Sequence, residues 1–185
     1  ELIGIDPDEQ TLALARELHL ADRLSASPAG LLEDADIVVL AAPVRAILSL
    51  IDSLPDLHPG SPVVLDLGST KKEIVQRMTG LPARFDPLGG HPMCGKERSS
   101  LAQAEAGLYR GAPFALVPLP RTSPRACSAA QALALAAGAR PLWLDALEHD
   151  RWVAATSHLP YLLSSALAAS TPLEAAPMAG PGFRS

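Results

Sequence analysis

The sequence predicts a doubly wound, mostly parallel α/β sheet that is followed by the start of an all-helical domain. Short apolar runs alternate with amphipathic stretches, and the runs are continuous rather than alternating in polarity. A strand that is apolar on both faces is typical of a parallel sheet with helices on both sides. The last amphipathic stretch has no strand after it, so we expect an α/β domain over residues 1–145 and a helical domain over 146–185.

The first residues supply a strand and a helix start. Leu2–Ile5 is a short apolar run, and Asp6-Pro7-Asp8-Glu9 is typical of a helix that begins with the Asp6 carboxylate as its cap. The chain begins inside a strand and ends without a closing element. We therefore expect a fragment that is cut at both ends.

Two buried strands with their helices follow. Ile37–Ala42 is a continuous apolar run that ends at Pro43, and the apolar residues after it recur at helical spacing. A second run, Pro62–Leu67, precedes another helix, with Thr70 and Glu73 spaced as a capping box. Continuous hydrophobicity predicts that both faces of these strands are covered.

The second half continues the alternation of strands and helices. The predicted elements are a weak strand at Phe85–Leu88, a strand at Ala112–Leu119, a helix at Ser123–Ala137, a strand at Arg140–Leu144 and a long helix from Asp145 to about Ala169. Prolines within the Ala112–Leu119 run indicate a strand near a sheet edge. Gly138 ends the alanine-rich helix, and Pro172, Pro177 and Pro181 mark a loop.

The composition argues against several classes of partner. The formal net charge is −5 and the sequence has no basic run to neutralise phosphates, so we expect no nucleic-acid or membrane partner. The longest apolar runs are too short to span a bilayer, and the chain opens with no secretion leader. Two cysteines form neither a disulfide framework nor a zinc site. We expect a cytoplasmic protein.

Two strand ends carry candidate cofactor-binding residues. Asp6 follows the first apolar run, at the position where a dinucleotide-binding fold places an acidic residue. In such a fold the carboxylate accepts hydrogen bonds from the adenosine ribose hydroxyls and repels the additional phosphate of NADP. Helix capping by Asp6 explains the local pattern equally well. Ala41, Ala42 and Pro43 end a buried strand, and their small size suits a flat cofactor that lies against backbone.

The turn after the next strand carries Ser69. Its hydroxyl can cap the following helix, which is the commoner role, or hydrogen-bond a substrate or nicotinamide. Lys71 and Lys72 come next in the chain, and we expect them to form a solvated face.

His91 is the strongest catalytic candidate. Gly89 and Gly90 precede it at a strand end, and Pro92 stiffens the backbone that follows. Histidine is the side chain best suited to exchange a proton near neutral pH, and loops on a rigid scaffold often carry such groups. This pattern favours catalysis over packing. Cys94 is more consistent with a small filler than with a nucleophile.

His158 is a second candidate, within the long C-terminal helix. Pro160 cannot donate to the carbonyl of Thr156, so we expect a kink or a freed acceptor beside His158. His149 and Asp150 can form a supporting pair. The spacing of His149 and His158 does not match a zinc helix motif, so we expect no metal.

Five sequence blocks, in a consistent order, cover nearly the whole chain. They are Asp36-Ile37-Val38-Val39-Leu40-Ala41-Ala42-Pro43, Asp66-Leu67-Gly68-Ser69-Thr70-Lys71, Gly89-Gly90-His91-Pro92-Met93-Cys94-Gly95, Leu108-Tyr109-Arg110-Gly111 and His149-Asp150 through Ser157-His158-Leu159-Pro160. With these blocks the chain resembles the prephenate/arogenate dehydrogenases, NAD(P)-dependent enzymes of tyrosine biosynthesis that have a Rossmann-like domain and a helical dimerisation domain.

The resemblance implies specific roles for the candidate residues. His91 takes up the proton of the substrate ring hydroxyl as hydride leaves for the nicotinamide and carbon dioxide is lost, and Ser69 orients that hydroxyl and the histidine. His158 helps to hold the substrate. Asp6 binds the ribose and favours NAD over NADP. The resemblance also implies that the full-length protein is a homodimer.

The resemblance also has limits. The family uses an arginine for a substrate carboxylate, a few residues beyond a segment like Gly182-Phe183-Arg184, and the chain ends before it. The resemblance also implies that the chain lacks the family's first strand, its glycine-rich turn and most of the helical domain. We therefore expect the fragment itself to be inactive. Lys96 stands where many members carry threonine, which leaves prephenate and arogenate both open. A 3-hydroxyacid dehydrogenase needs a lysine in its helical domain, and 145–185 has none. A non-catalytic dinucleotide-binding module also remains open.

Overall fold

The computed structural model describes residues 1–95, 100–178 and 180, and its chain falls into two units, Glu1–His149 and Asp150–Ser185. The strands are β1 Ile3–Ile5, β2 Arg23–Ser25, β3 Ile37–Leu40, β4 Val63–Asp66, β5 Asp86–Pro92, β6 Pro113–Pro118 and β7 Arg140–Trp143. The helices are α1 Glu9–Glu17, α2 Val44–Leu57, α3 Lys72–Thr79, α4 Pro124–Ala136, α5 Ala146–Val153 and α6 Leu159–Ser170. A short 3-10 helix also covers Leu101–Gln103.

The first unit contains a five-stranded sheet in the order β3-β4-β5-β6-β7. Neighbouring strands are parallel except for β5 and β6, which are antiparallel. The parallel pairs are joined through helices: α2 connects β3 to β4, α3 connects β4 to β5, and α4 connects β6 to β7. Strands β1 and β2 form a separate parallel pair.

The core lies on both faces of the five-stranded sheet. Val64 packs with α2 and α3 residues such as Ile51 and Ile74, whereas its neighbour Leu65 packs in a second cluster with Leu116 of β6 and Ala130 of α4. Consecutive strand residues point to opposite faces, so β4 has helices on both sides. The predicted fold class, a doubly wound and mostly parallel α/β sheet, is confirmed.

Two strands refine the sequence prediction. The β6 strand lies next to the edge strand β7, as expected of a strand near a sheet edge, but it is paired on both sides, with β5 and with β7. Its prolines, Pro113 and Pro118, are its first and last residues. The β5 strand continues beyond Leu88 to Pro92. His91 therefore lies in a strand, where it pairs with Ala115, and not in the predicted loop.

The burial of β3 and the cap of α1 also differ from the sequence prediction. Ile37 and Val39 of β3 are 39% and 43% exposed, so one face of this strand is open, whereas continuous hydrophobicity had predicted that both faces are covered.

Helix α1 is capped by Asp8 and not by Asp6. The Asp8 carboxylate accepts hydrogen bonds from the backbone of Gln10 and Thr11. The Asp6 carboxylate instead accepts from the Asp8 backbone N–H at 2.8 Å. The unpredicted strand β2 is only three residues long.

The second unit is helical where the structure describes it. A π-helical turn at Ala154–His158 interrupts the predicted long helix immediately before α6, which confirms the expected irregularity beside Pro160. Leu173–Met178 forms a 3-10 helix rather than a loop, and Pro181 lies outside the described residues. Within the described part of the chain, the helices are too short or too polar to cross a membrane.

Candidate functional site

Three groups of candidate residues lie at or beyond the carboxyl ends of adjacent parallel strands. The register aligns Leu40 of β3 with Asp66 of β4, and Asp66 with Gly89 of β5. Ala41, Ala42 and Pro43 follow β3, and Ser69 follows β4. His91 lies within β5, two residues beyond the Gly89 that pairs with Asp66, so all three groups lie at the same carboxyl-terminal edge of the parallel strands. Ligands of open α/β sheets bind at this edge.

A buried ion pair lies beneath this edge. The Lys71 ammonium donates to the Asp66 carboxylate, and both side chains are completely buried. Lys71 Nζ also donates to the Gly90 carbonyl at 2.7 Å, while the Gly90 N–H donates to Asp66 at 3.3 Å. The pair thus holds the peptide groups on both sides of Gly90, the residue that precedes His91.

The expectation that Lys71 is solvated is wrong. A lysine is buried only where its charge is compensated, and here Asp66 and the Gly90 carbonyl provide the acceptors. Burial raises the pKa of the Asp66 carboxyl, and the Lys71 ammonium and the N–H groups of Gly68 and Gly90 act in the opposite direction. Lys72 is exposed, as expected.

Glycines make room for this arrangement. A Cβ atom at Gly90 would lie 2.7 Å from the Asp66 carbonyl oxygen and 2.9 Å from a Leu65 methyl group. A Cβ atom at Gly89 would lie 3.2 Å from the Lys71 side chain. Gly89 and Gly90 therefore permit close packing of β5 against β4 and Lys71, and their role is steric.

His91 contacts a second histidine, His149 of α5. Nδ1 of His91 and Nε2 of His149 are 3.0 Å apart, a hydrogen-bond distance. The ring centroids are 5.2 Å apart and the rings are inclined by 62°. His149 is buried at 1% exposure, whereas His91 is partly exposed. The structure therefore gives His91 one buried face and one face that solvent or a ligand can reach.

Ser69 is exposed and does not cap α3. The helix begins at Lys72, its N-terminal flanking residue is Lys71, and no side chain provides a capping hydrogen bond there. The capping box expected from Thr70 and Glu73 is accordingly not formed. Helix capping, the commoner role expected of the Ser69 hydroxyl, is therefore wrong. Its hydrogen bond to a substrate or nicotinamide stays a prediction.

Cys94 is exposed, and its thiol donates to the Leu108 carbonyl at 3.0 Å. The sequence had suggested a small filler rather than a nucleophile, and the exposure of Cys94 does not agree with a packing role. The contact joins the segment after His91 to the Leu108-Tyr109-Arg110-Gly111 block.

The chemistry of the strand ends fits a dinucleotide. Asp6 is partly buried at the carboxyl end of β1. It does not cap α1, so helix capping does not explain this carboxylate. Carboxylate oxygens suit ribose hydroxyls, and the small Ala41, Ala42 and Pro43 follow β3. Strands β1 and β3 belong to separate sheets, so no hydrogen-bonded register relates these two groups.

His158 belongs to the second unit and is the last residue of the π-helical turn. Its side chain is exposed. The remaining positions that bear on substrate choice, Lys96 and Gly182-Phe183-Arg184, lie outside the described residues.

The sequence analysis paired His149 with Asp150 rather than with His91, and it did not place Asp66 or Lys71 at the site. Asp66 and Lys71 form its buried ion pair, and His149 contacts His91. Adjacent lysines usually indicate a solvated face, so the local pattern hid Lys71. A signal was nevertheless present, since Asp66 ends a wholly apolar run and is five residues from a lysine.

The fold and the residues at its edge define a nucleotide-binding α/β domain. Residues 1–142 match the family model described as prephenate dehydrogenase, nucleotide-binding domain. The chain therefore belongs to the prephenate dehydrogenase family, whose members are oxidoreductases.

Individual relatives agree with this assignment. Prephenate dehydrogenase of Bacillus subtilis is 31% identical over 175 residues, which are 92% of this chain and 46% of that protein. The crystal structure of Synechocystis arogenate dehydrogenase is 28% identical, with a TM-score of 0.84 over 98% of this chain and 67% of that one. Prephenate dehydrogenase from A. aeolicus, in complex with hydroxyphenyl propionate and NAD+, is 28% identical with a TM-score of 0.86, over 98% of this chain and 66% of that one.

The lengths of these proteins differ from that of the chain. The chain spans less than half of the Bacillus subtilis relative. It spans about two thirds of the two solved structures.

Proposed function

We propose that the whole protein that contains this chain catalyses the NAD-dependent oxidative decarboxylation of prephenate to 4-hydroxyphenylpyruvate. One observation carries the proposal: His91, at the ligand-binding edge of the sheet, is held through the Gly90 peptide on one side and by His149 on the other. A catalytic base needs such a fixed position. Membership of the family supplies the reaction class.

His91 is proposed as the general base. It accepts the proton of the substrate ring hydroxyl while hydride leaves the same carbon and the bond to the ring carboxylate breaks. Carbon dioxide departs and the ring becomes aromatic, which provides the driving force, and the phenolate oxygen takes back a proton to give the phenol product. NAD, when bound, supplies the hydride acceptor. Ser69, exposed beyond the neighbouring strand β4, is proposed to orient the hydroxyl, and His158 to help hold the substrate.

The cofactor is proposed to be NAD rather than NADP. Asp6 is proposed to accept hydrogen bonds from the ribose, and its negative charge disfavours an additional phosphate at the same position. Ala41, Ala42 and Pro43 are proposed to lie against the cofactor. The complex of the A. aeolicus enzyme contains NAD+, which supports this choice.

The whole protein is further proposed to be a cytoplasmic homodimer whose helical domain starts near residue 146. Helix α6 supports dimerisation, because its Leu159, Leu162, Leu163 and Leu167 are all more than half exposed. Extended apolar surface on a helix commonly marks an interface. Arogenate is the second candidate substrate, which the likeness to Synechocystis arogenate dehydrogenase favours.

The direct test of the base is His91→Asn in the whole protein. We expect kcat for NAD reduction with prephenate to fall by roughly 10² to 10⁴, because asparagine cannot take up the proton. Cys94→Ser, at an exposed neighbouring position, is the control and should keep kcat near that of the wild type. Unchanged turnover in the asparagine variant would show that His91 is not the base. Parallel assays with arogenate identify the preferred substrate.

Cofactor choice is tested with Asp6→Ser. Removing the negative charge should weaken NAD binding and reduce the preference for NAD over NADP, measured as the ratio of kcat/KM values. Asp8→Asn removes a nearby charge at the start of α1 while it retains a helix cap, so it should leave the ratio unchanged. An equal change in both variants would mean a general charge effect rather than recognition by Asp6.

A further inference from the structure

The contact between His91 and His149 has a chemical consequence for the catalytic base. The ring nitrogens that face each other, Nδ1 of His91 and Nε2 of His149, are 3.0 Å apart. A neutral imidazole has one N–H donor and one lone-pair acceptor. Two neutral rings in hydrogen-bond contact therefore share one proton between these nitrogens, and it belongs either to His91 or to His149.

The two arrangements differ in what they leave on the outer nitrogen of His91. If the shared proton belongs to His91 Nδ1, then Nε2 of His91 carries the lone pair and can accept a proton. If the shared proton belongs to His149, then His91 carries its own proton on Nε2 and is a donor there. Only the first arrangement is compatible with a general base that acts through Nε2.

We propose that His149 is a positioning residue that accepts a hydrogen bond from His91 Nδ1–H and thereby keeps His91 in the tautomer whose Nε2 is basic. This inference rests on the proposed function of His91. It adds a partner that selects the tautomer and fixes the ring. The same hydrogen bond persists when His91 becomes an imidazolium, so the proton transfer does not require the pair to separate.

The surroundings of His149 suit an acceptor. The ring is 1% exposed, and burial disfavours a charged imidazole, which would have donors on both nitrogens. Its backbone is fixed in α5, where the His149 N–H donates to the Asp145 carbonyl at 2.9 Å. The Asp145 carboxylate in turn caps the helix by accepting from the N–H groups of Leu147 and Glu148, each at 2.8 Å. A rigid helix start thus presents His149 to His91.

The His91 ring is held as firmly as the His149 ring. His91 pairs with Ala115 of β6, and the preceding Gly90 is held by Asp66 and Lys71. The two rings are thus carried by elements that are fixed independently of each other. A contact of 3.0 Å between such elements sets the orientation of the His91 ring, which is what a positioning residue must do.

Three substitutions of His149 in the whole protein separate its hydrogen bond from its bulk. His149→Leu removes the acceptor, and we expect kcat with prephenate to fall by roughly 10- to 10²-fold with little change in KM. His149→Gln extends an amide oxygen towards the former Nε2 position and should recover most of that loss. His149→Asn carries the same amide on a shorter side chain, which does not reach His91, and should not recover it.

A matched control uses another buried histidine. His58 is 2% exposed and contacts the Ala35 carbonyl at 2.9 Å. It lies at the C-terminal end of α2, far from His149 in the sequence. His58→Gln should lower the melting temperature without lowering kcat. Melting temperatures of all variants show whether a loss of turnover follows a loss of folded protein.

The tautomer itself is measurable in the 185-residue chain by nitrogen-15 NMR of its histidine rings. At about pH 8.5, two units above the usual imidazole pKa, His91 should show a protonated Nδ1 and an unprotonated Nε2. In His149→Leu the ring should shift towards a mixture of tautomers. A His91 ring protonated at Nε2 in the wild type would overturn the inference, as would equal kcat values for the glutamine and asparagine variants. Absence of prephenate turnover by the wild-type protein would instead overturn the proposed function.

Discussion

Single residues decide how the candidate base is held. Asp66 and Lys71 lie at the end of β4 and before α3, and between them they bind the N–H and the carbonyl of Gly90. A buried charge that loses its partner is strongly destabilising, because no water replaces the lost contact. The pair therefore couples the stability of the first unit to the position of His91.

This coupling predicts a large effect of Lys71→Met. The substitution leaves the Asp66 carboxylate buried without its cation, and we expect the free energy of unfolding to fall by about 3–5 kcal/mol. Lys72→Met, at the adjacent exposed position, should change it by less than about 0.5 kcal/mol. Urea denaturation of the chain, followed by circular dichroism, measures both.

A double variant tests the same pair when the single variant does not fold. Asp66→Asn combined with Lys71→Met removes both charges. Gly68 and Gly90 donate to different oxygens of Asp66, so the single amide oxygen of asparagine still accepts from one of these two N–H groups. The double variant should be more stable than Lys71→Met alone, because no uncompensated charge remains. A double variant that is less stable than the single one would contradict the role given to the ion pair.

At the scale of elements, side-chain contacts set where strands and helices begin. The β5 strand extends through Gly89 and Gly90 to His91 because these glycines fit closely against β4, Lys71 and β6. Helix α1 begins after Asp8 because this carboxylate accepts from the backbone of Gln10 and Thr11 and from the Thr11 hydroxyl. The helix start is thus two residues later than the sequence indicates.

The Asp8 cap predicts a pH-dependent contribution to stability. The hydrogen bonds from Thr11 lower the pKa of Asp8 below its ordinary value of 3.8. A lowered pKa means stability that is present above the unfolded-state value and is lost as pH falls through the folded-state value. Asp8→Ala should therefore lower the melting temperature at pH 7 and have a much smaller effect near pH 2, measured by circular dichroism.

An amide at the same position provides the control. Asp8→Asn retains a capping acceptor without a titrating group, so its stability relative to Asp8→Ala should not depend on pH in this range. A deficit in Asp8→Ala that is the same at both pH values would mean that ionised Asp8 does not stabilise α1.

At the scale of the whole molecule, apolar surface is distributed unevenly. One face of β3 exposes Ile37 and Val39, and α6 exposes several leucines along its length. The chain spans 46% of its Bacillus subtilis relative. Both surfaces are therefore proposed as places where further parts of the whole protein, or a second copy of it, pack.

Sequence reasoning fixed the fold class and the main candidates because these depend on local patterns. Continuous apolar runs between amphipathic stretches indicate a parallel α/β sheet, and Pro160 indicates an interrupted helix. His91 was found because a histidine between glycines and a proline is unusual. The roles predicted for Ser69, His158 and Asp6 stay predictions.

The sequence by itself determined the layered architecture, the strand ends that carry candidate groups and the family to which the chain belongs. Only the tertiary structure decided that Lys71 is buried against Asp66, that β6 lies inside the sheet and that His149 contacts His91. The physical reason is the separation along the chain between the residues that come into contact. Burial and hydrogen bonding between residues as far apart as 91 and 149 depend on how strands and helices pack, and no local pattern of side chains specifies that.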